Sequence, residues 1–264
     1  MRSYHNGRRL FRPLSDLHVE FRAPGYRLPL LEGCDEKDVV CLLAGDIGTA
    51  WTHLDFVRDL CKRHRAVVYV PGNHEYYSSH RMDKIERKWS EFSEELGNLH
   101  FLNPGCLRVD GLLVVGCALW TDLDNFSPLA ELSASQYMND YRHITINDGG
   151  VFRKLRTRDT FALNKAHVDY IYATSEPGCL VVTHHAPTFQ VKVYPYSSRT
   201  DFAYYNTGLD NFLVSDAAPG TWVFGHTHQA TQHVIGNTVV VSNAAGYEGH
   251  ELVSGFNPNL VLEL

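Results

Sequence analysis

Seven short apolar runs rich in Val and Leu recur along this chain: Leu10–Ser15, Asp38–Ala44, Ala66–Val70, Leu112–Leu119, Cys179–Thr183, Thr221–Phe224 and Thr238–Ser242. Continuous apolar runs of this length suit strands covered on both faces. Amphipathic segments lie between several of them. Met82, Ile85, Trp89, Phe92 and Leu96 are three and four residues apart, one face of a helix, with Ser79 placed to cap its start and Gly97 its end. A second helix is expected from about Thr49 to Arg65, with Leu54, Val57 and Leu60 inward, and a third from near Thr157 to about Ala173. Asp110-Gly111 and Gly236-Asn237 read as hairpin turns. The alternation points to an α/β fold.

The chain has 264 residues, enough for one large domain. Trp120 to about Gly150 is rich in Tyr, Asp and Asn and reads as an irregular insertion or cap beside the main domain. Nothing approaches the run of about 18 apolar residues that would span a membrane. The arginine-bearing start, Met1 to Pro13, is followed by no apolar stretch and does not read as an export signal. The six cysteines contain no C-x-x-C pair, and Cys41, Cys117 and Cys179 sit inside apolar runs. Reduced thiols and a cytoplasmic protein are therefore expected. The net charge of −6 argues against a nucleic-acid backbone as the main partner. Local clusters such as Arg153, Lys154, Arg156 and Arg158 read as solvated faces.

The strand ends carry the chemistry. Asp16 and His18 follow the first run, Asp46 the second, Asn73 the third, His184 a later one, and His226 and His228 another. Ligands of open α/β folds collect outside the carboxyl ends of strands, so these groups are expected in one neighbourhood. Carboxylate, amide oxygen and imidazole without thiolate favour Mn, Fe, Zn or similar divalent ions. Seven donors exceed what one ion needs, and two ions sharing Asp46 would use them. Asp16 and His18 are two apart, as are His226 and His228, which in an extended segment aims both members of a pair the same way.

The order Asp16-x-His18, Gly45-Asp46, Gly72-Asn73-His74-Glu75, His184, Gly225-His226-Thr227-His228 resembles the calcineurin-like metallophosphoesterases. Ser15–Phe21, Gly72–Tyr77 and Thr183–Pro187 are similar to its small bacterial and phage branch. The resemblance implies a four-layer αββα sandwich of two mixed β-sheets flanked by helices. It implies two divalent ions, manganese foremost: one held by Asp16, His18 and His228, the other by Asn73, His184 and His226, with Asp46 and a water or hydroxide between them. His74 would bind no metal and would protonate the leaving group, and the hydroxide would attack phosphorus. Of His184 and His185, the resemblance selects His184 as the ligand.

The chain departs from the family in two places. Gly45-Asp46 is followed by Ile47-Gly48-Thr49 rather than by a second Asp three residues on, and Ala244-Ala245-Gly246-Tyr247 stands where relatives have Pro-Arg-Gly-Tyr. Tyr77, Trp120, Arg142, His185 and Tyr247 are the candidates for substrate contact, with Tyr76, Asp122 and Tyr141 beside them. Arginine would pair with phosphate and the rings would stack on a planar group. The remaining histidines, at 5, 53, 64, 80, 100, 143, 167, 233 and 250, are read as surface or structural.

The expected activity is hydrolysis of a small phosphorylated substrate, a nucleotide-like diester or a monoester. A nuclease is the alternative, disfavoured by the charge balance. A non-catalytic scaffold ranks lower still, because Asn73 and His74 are both present. The sequence leaves the oligomeric state open.

Overall fold

The computed structural model describes residues 8–193, 198, 200–249 and 255–264. His5 and His250 lie outside the described residues.

Among the described residues, the strands form two large sheets and one small hairpin. The first sheet has the order β13-β1-β2-β3-β4, from β1 (Leu10–Leu14), β2 (Val39–Ala44), β3 (Ala66–Val70), β4 (Leu99–Phe101) and β13 (Leu262–Glu263). Its pairs are parallel except β13 against β1. The second has the order β11-β12-β10-β9-β6-β5, from β5 (Gly105–Val109), β6 (Leu112–Cys117), β9 (Leu180–Thr183), β10 (Thr221–Phe224), β11 (Ala230–Ile235) and β12 (Thr238–Asn243). Its parallel centre carries an antiparallel hairpin at each edge.

The sheets pack face to face. Val40, Leu42 and Val68 of the first meet Val114, Leu180, Val182 and Val223 of the second in one apolar layer. Alternate residues of the same strands point outward: Cys41, Leu43, Val67 and Tyr69 pack under α1 (Leu54–Arg63) and α2 (Met82–Leu96). On the far side, Val181, Trp222 and Val240 pack under Ile171 of α6 (Thr157–Thr174) and Phe212 of α7 (Asp210–Leu213). Both faces of each central strand are thus buried, which is why the runs are mostly apolar; the charged exception, buried Arg12 of β1, is paired with Glu36 at 3.1 Å. The result is the expected four-layer αββα sandwich of two mixed sheets. No helix among the described residues is long and apolar enough to cross a membrane.

Two helix ends differ from expectation. α1 starts at Leu54, after a turn in which Ala50 donates its N–H to the carbonyl of Glu75 and takes φ +49°. Ser79 does not cap α2; Arg81 holds that position and its side chain pairs with Asp83 rather than capping the backbone, while Gly97 at φ +72° closes the other end as expected. The stretch after Trp120 is more ordered than its composition indicates. It holds α3 (Leu123–Phe126), α4 (Pro128–Tyr137), α5 (Asp140–His143) and the hairpin β7 (Thr145–Asp148) and β8 (Val151–Lys154). Ser127 accepts the N–H of Ala130 at 3.3 Å ahead of Pro128, a helix start written plainly in the sequence. Leu123 to Phe126 all have φ between 48° and 59°, a left-handed turn that no rule for Leu or Phe anticipates.

Candidate metal centre

The carboxyl ends of β1, β2, β3, β9 and β10 converge, and the loops leaving them bring together all seven expected donors. Asp16, His18, Asp46 and His228 form one cluster; Asp46, His184 and His226 form another. Asn73 joins the second through its Oδ1, 3.0 Å from His184 Nε2. Asp46 belongs to both clusters. Its Oδ1 lies 3.4 Å from His184 Nε2 and its Oδ2 lies 3.9 Å from His18 Nε2. Within each cluster His18 Nε2 and His228 Nε2 are 3.2 Å apart, and His184 Nε2 and His226 Nδ1 are 3.1 Å apart. Donors bonded to one ion at about 2.0–2.2 Å sit about 3 Å from one another, so these clusters are spaced so that each could hold an ion.

The backbone bends sharply to achieve this. Asp16, His18, Asp46, His226 and His228 all have φ between 45° and 65°. Left-handed residues other than glycine cost about 1–3 kcal/mol each, and they persist only where the surroundings hold them. Here the holders are explicit. The Asp16 carboxylate accepts the N–H of His226 at 3.0 and 3.1 Å, tying the β1 loop to the β10 loop. Fully buried Glu75 accepts the N–H of Asp46 at 3.0 Å, of Ile47 at 2.8 Å and of Gly72 at 2.6 Å, and the hydroxyl of Tyr69 at 2.7 Å. Burial and the nearby Asp46 push the Glu75 carboxyl up to about 7, while the Tyr69 hydroxyl and the Ile47 N–H oppose them. Two glycines supply room rather than torsional freedom: a Cβ on Gly72 would meet Asp46 Oδ1 at 2.2 Å, and one on Gly225 would meet Asp16 Oδ2 at 2.7 Å.

The donor set fits a cation on its own chemistry. His184 Nδ1 lies 2.9 Å from the carbonyl of Ala44, so Nδ1 carries the proton and Nε2 of the neutral ring presents a lone pair. Asn73 donates its Nδ2 elsewhere and turns Oδ1 inward. Asp46 Oδ1 is a third acceptor at the same point. Three lone pairs facing one another repel unless positive charge lies among them. Without a cation a proton fills that place: burial lowers the basicity of His184, yet Asp46 and Asp16 outweigh burial and push it up to about 9, and a bound cation would displace this proton and leave the neutral ring.

His74 stands beside the clusters. Its Nδ1 is 3.4 Å from Glu20 Oε1 and its Nε2 is 2.8 Å from the Tyr247 hydroxyl. Burial lowers its basicity, but Asp46 and Glu20 outweigh burial and leave it raised. Glu20 also lies 3.6 Å from His18 Nδ1, so one carboxylate faces both rings. Glu20 lies inside the Ser15–Phe21 block, the sequence signal that points to it.

A cavity of about 300 Å³ opens over the site, lined by Asp46, His74, Tyr77, Tyr204 and Tyr247 among others. Tyr77 and Tyr247 are therefore where substrate contact was expected. Three other candidates are not. Trp120 is buried, 5.1 Å from the ring of His185 and away from the cavity lining. His185 is buried too: its Nδ1 lies 3.2 Å from the carbonyl of Ala118 and its ring lies 4.2 Å from that of His226, so it packs behind the clusters. Arg142 is exposed, pairs with the carbonyl of Gln136 and the side chain of Asn139, and does not line the cavity. The α4–α5 turn places its preceding neighbours Tyr137, Met138 and Asn139 at the cavity instead.

Comparison with known proteins identifies the family and the fold. Residues 14–230 match the family described as calcineurin-like phosphoesterase. The uncharacterized protein L509 of Acanthamoeba polyphaga mimivirus is 26% identical over 283 residues, covering 97% of each chain. A phosphopantetheinyl hydrolase from Mycobacterium tuberculosis shares the fold, with a TM-score of 0.67 and 17% identity over 91% of this chain and 90% of that one.

Proposed function

The chain belongs to the calcineurin-like phosphoesterase family, and we propose that it hydrolyses a small phosphorylated molecule, a nucleotide-like diester or monoester, with two divalent ions. The observation that carries this reading is the Asp46 carboxylate, which turns one oxygen to each of two acceptor-rich clusters. Asp16, His18 and His228 would hold one ion; Asn73, His184 and His226 would hold the other; Asp46 would touch both. Nitrogen and oxygen donors without thiolate suit manganese, iron or zinc, and manganese is our first choice. Bound ions would lower the pKa of water and neutralise phosphate charge.

The chain's own groups do the rest. His74, kept basic by Asp46 and Glu20, is placed to give a proton to the departing alcohol. Glu20 fixes the orientation of that ring from its Nδ1 side. Tyr77 and Tyr204 give the cavity flat walls on which a base or other planar group can lie.

A hydrolysis panel tests the proposal. Metal-stripped protein is reloaded with Mn²⁺, Fe²⁺ or Zn²⁺ and offered a nitrophenyl diester, a nitrophenyl monoester, nucleotides, a phosphopantetheinyl ester and a DNA oligonucleotide. Metal-dependent cleavage of a small ester supports it. Inertness toward every ester with every metal refutes it, and cleavage of the oligonucleotide alone replaces it with a nuclease.

A further inference from the structure

The amide of Asn73 has two ends of nearly equal shape, and only the oxygen can bind a cation. What selects the end is Asp140, a residue that no sequence pattern singled out. Asp140 opens α5, within the stretch after Trp120, and is only 3% exposed. Its Oδ1 accepts Asn73 Nδ2 at 2.9 Å and the Tyr77 hydroxyl at 2.5 Å. Asn73 Nδ2 also reaches the Tyr77 oxygen at 3.1 Å, closing a triangle. An ionised carboxylate accepts and never donates. A flipped Asn73 would set its oxygen against that carboxylate, losing the bond to it, and would turn toward His184 Nε2 an NH₂ that cannot bind a cation.

We infer that Asp140 is a positioning residue that holds the Asn73 oxygen toward the ion shared with His184 and His226. This rests on the two-ion reading above. The same carboxylate also fixes a wall of the cavity. Tyr77 lines the cavity and packs 4.4 Å from the ring of His74, and Met138 and Asn139 line it from the residues just before Asp140. One buried group therefore ties the insertion after Trp120 to one ion and to the shape of the substrate space. Partners of this kind, one bond removed from the metal, typically change affinity about 10–100-fold when replaced.

The test is a Mn²⁺ titration of metal-stripped protein, followed calorimetrically, with no substrate present. Wild type is expected to take two ions. Asp140→Asn, whose amide can turn either end toward Asn73, is expected to bind one ion as wild type does and the other about 10–100-fold more weakly. Tyr77→Phe, which leaves the Asp140–Asn73 bond, is expected to keep both affinities. Asp140→Ser is the second variant should Asp140→Asn fail to fold. Wild-type affinity for both ions in either folded variant overturns the inference, as does equal weakening of both ions. Loss of folding in both variants overturns it in favour of a purely structural role. A wild type that takes fewer than two ions refutes the two-ion reading itself, an outcome visible before any variant is examined.

Discussion

The hydroxyl of Tyr247 lies 2.8 Å from Nε2 of His74, and both residues line the cavity. With Glu20 on the opposite nitrogen, the ring is held at both ends. Such a histidine can deliver a proton only while protonated, and its surroundings favour that form.

His74→Ala is expected to keep its metal and lose about 10²–10⁴-fold in kcat, the range for a single positioned acid. The wild-type rate should fall as pH rises through the elevated His74 pKa, because the acid form disappears there; the variant should lack that limb. Paired measurements of bound metal and kcat against pH check this. An unchanged kcat removes His74 from proton transfer.

Gly72 is expected to tolerate no side chain. A Cβ there would press on Asp46 Oδ1 at 2.2 Å and on the Asp46 backbone nitrogen at 2.7 Å, neither of which is a flexible end. Gly72→Ala should therefore bind metal poorly while remaining folded, since the clash falls on the site rather than on the apolar layers. Full metal content in that variant would show that the Asp46 loop can shift without cost.

Two buried histidines outside the metal clusters make stability depend on pH. Burial pushes His53 and His167 down from 6.5 to about 4. Below pH 6.5 the unfolded chain takes up protons that the folded chain refuses, so unfolding gains and stability falls as pH drops toward 4. Each contributes its full stabilisation above pH 6.5 and loses roughly 2 kcal/mol of it by pH 5. Urea unfolding at pH 7 and pH 5 measures the slope, and His167→Leu should flatten it by about half the two-histidine contribution.

The central strands and the donors were legible in the sequence for one shared reason. Strands buried on both faces must be apolar throughout, so polar groups such as Asp46 and His184 stand out where the run ends. The edge strand β11, by contrast, reads Ala-Thr-Gln-His-Val-Ile with mixed exposure and neither a continuous apolar run nor an alternation, and only its turn at Gly236-Asn237 gave it away. The substrate side was harder to read. Arg142 and Tyr137 lie five residues apart in one segment, and its left-handed turn at Leu123–Phe126 and short helices decide which of them faces the cavity. Local propensity does not encode that rotation. Asp140 was invisible for a related reason: its partner Asn73 is 67 residues away, and a lone Asp at the start of a short helix carries no spacing signal.

In the proposed mechanism Asp46 serves two ions at once. Elemental analysis of protein purified without chelator and saturated with Mn²⁺, set beside Asp46→Ala treated identically, tests it most directly. Two ions per chain are expected in the wild type and a loss of binding at both clusters in the variant. One ion per chain in the wild type, or two retained in Asp46→Ala, would contradict it.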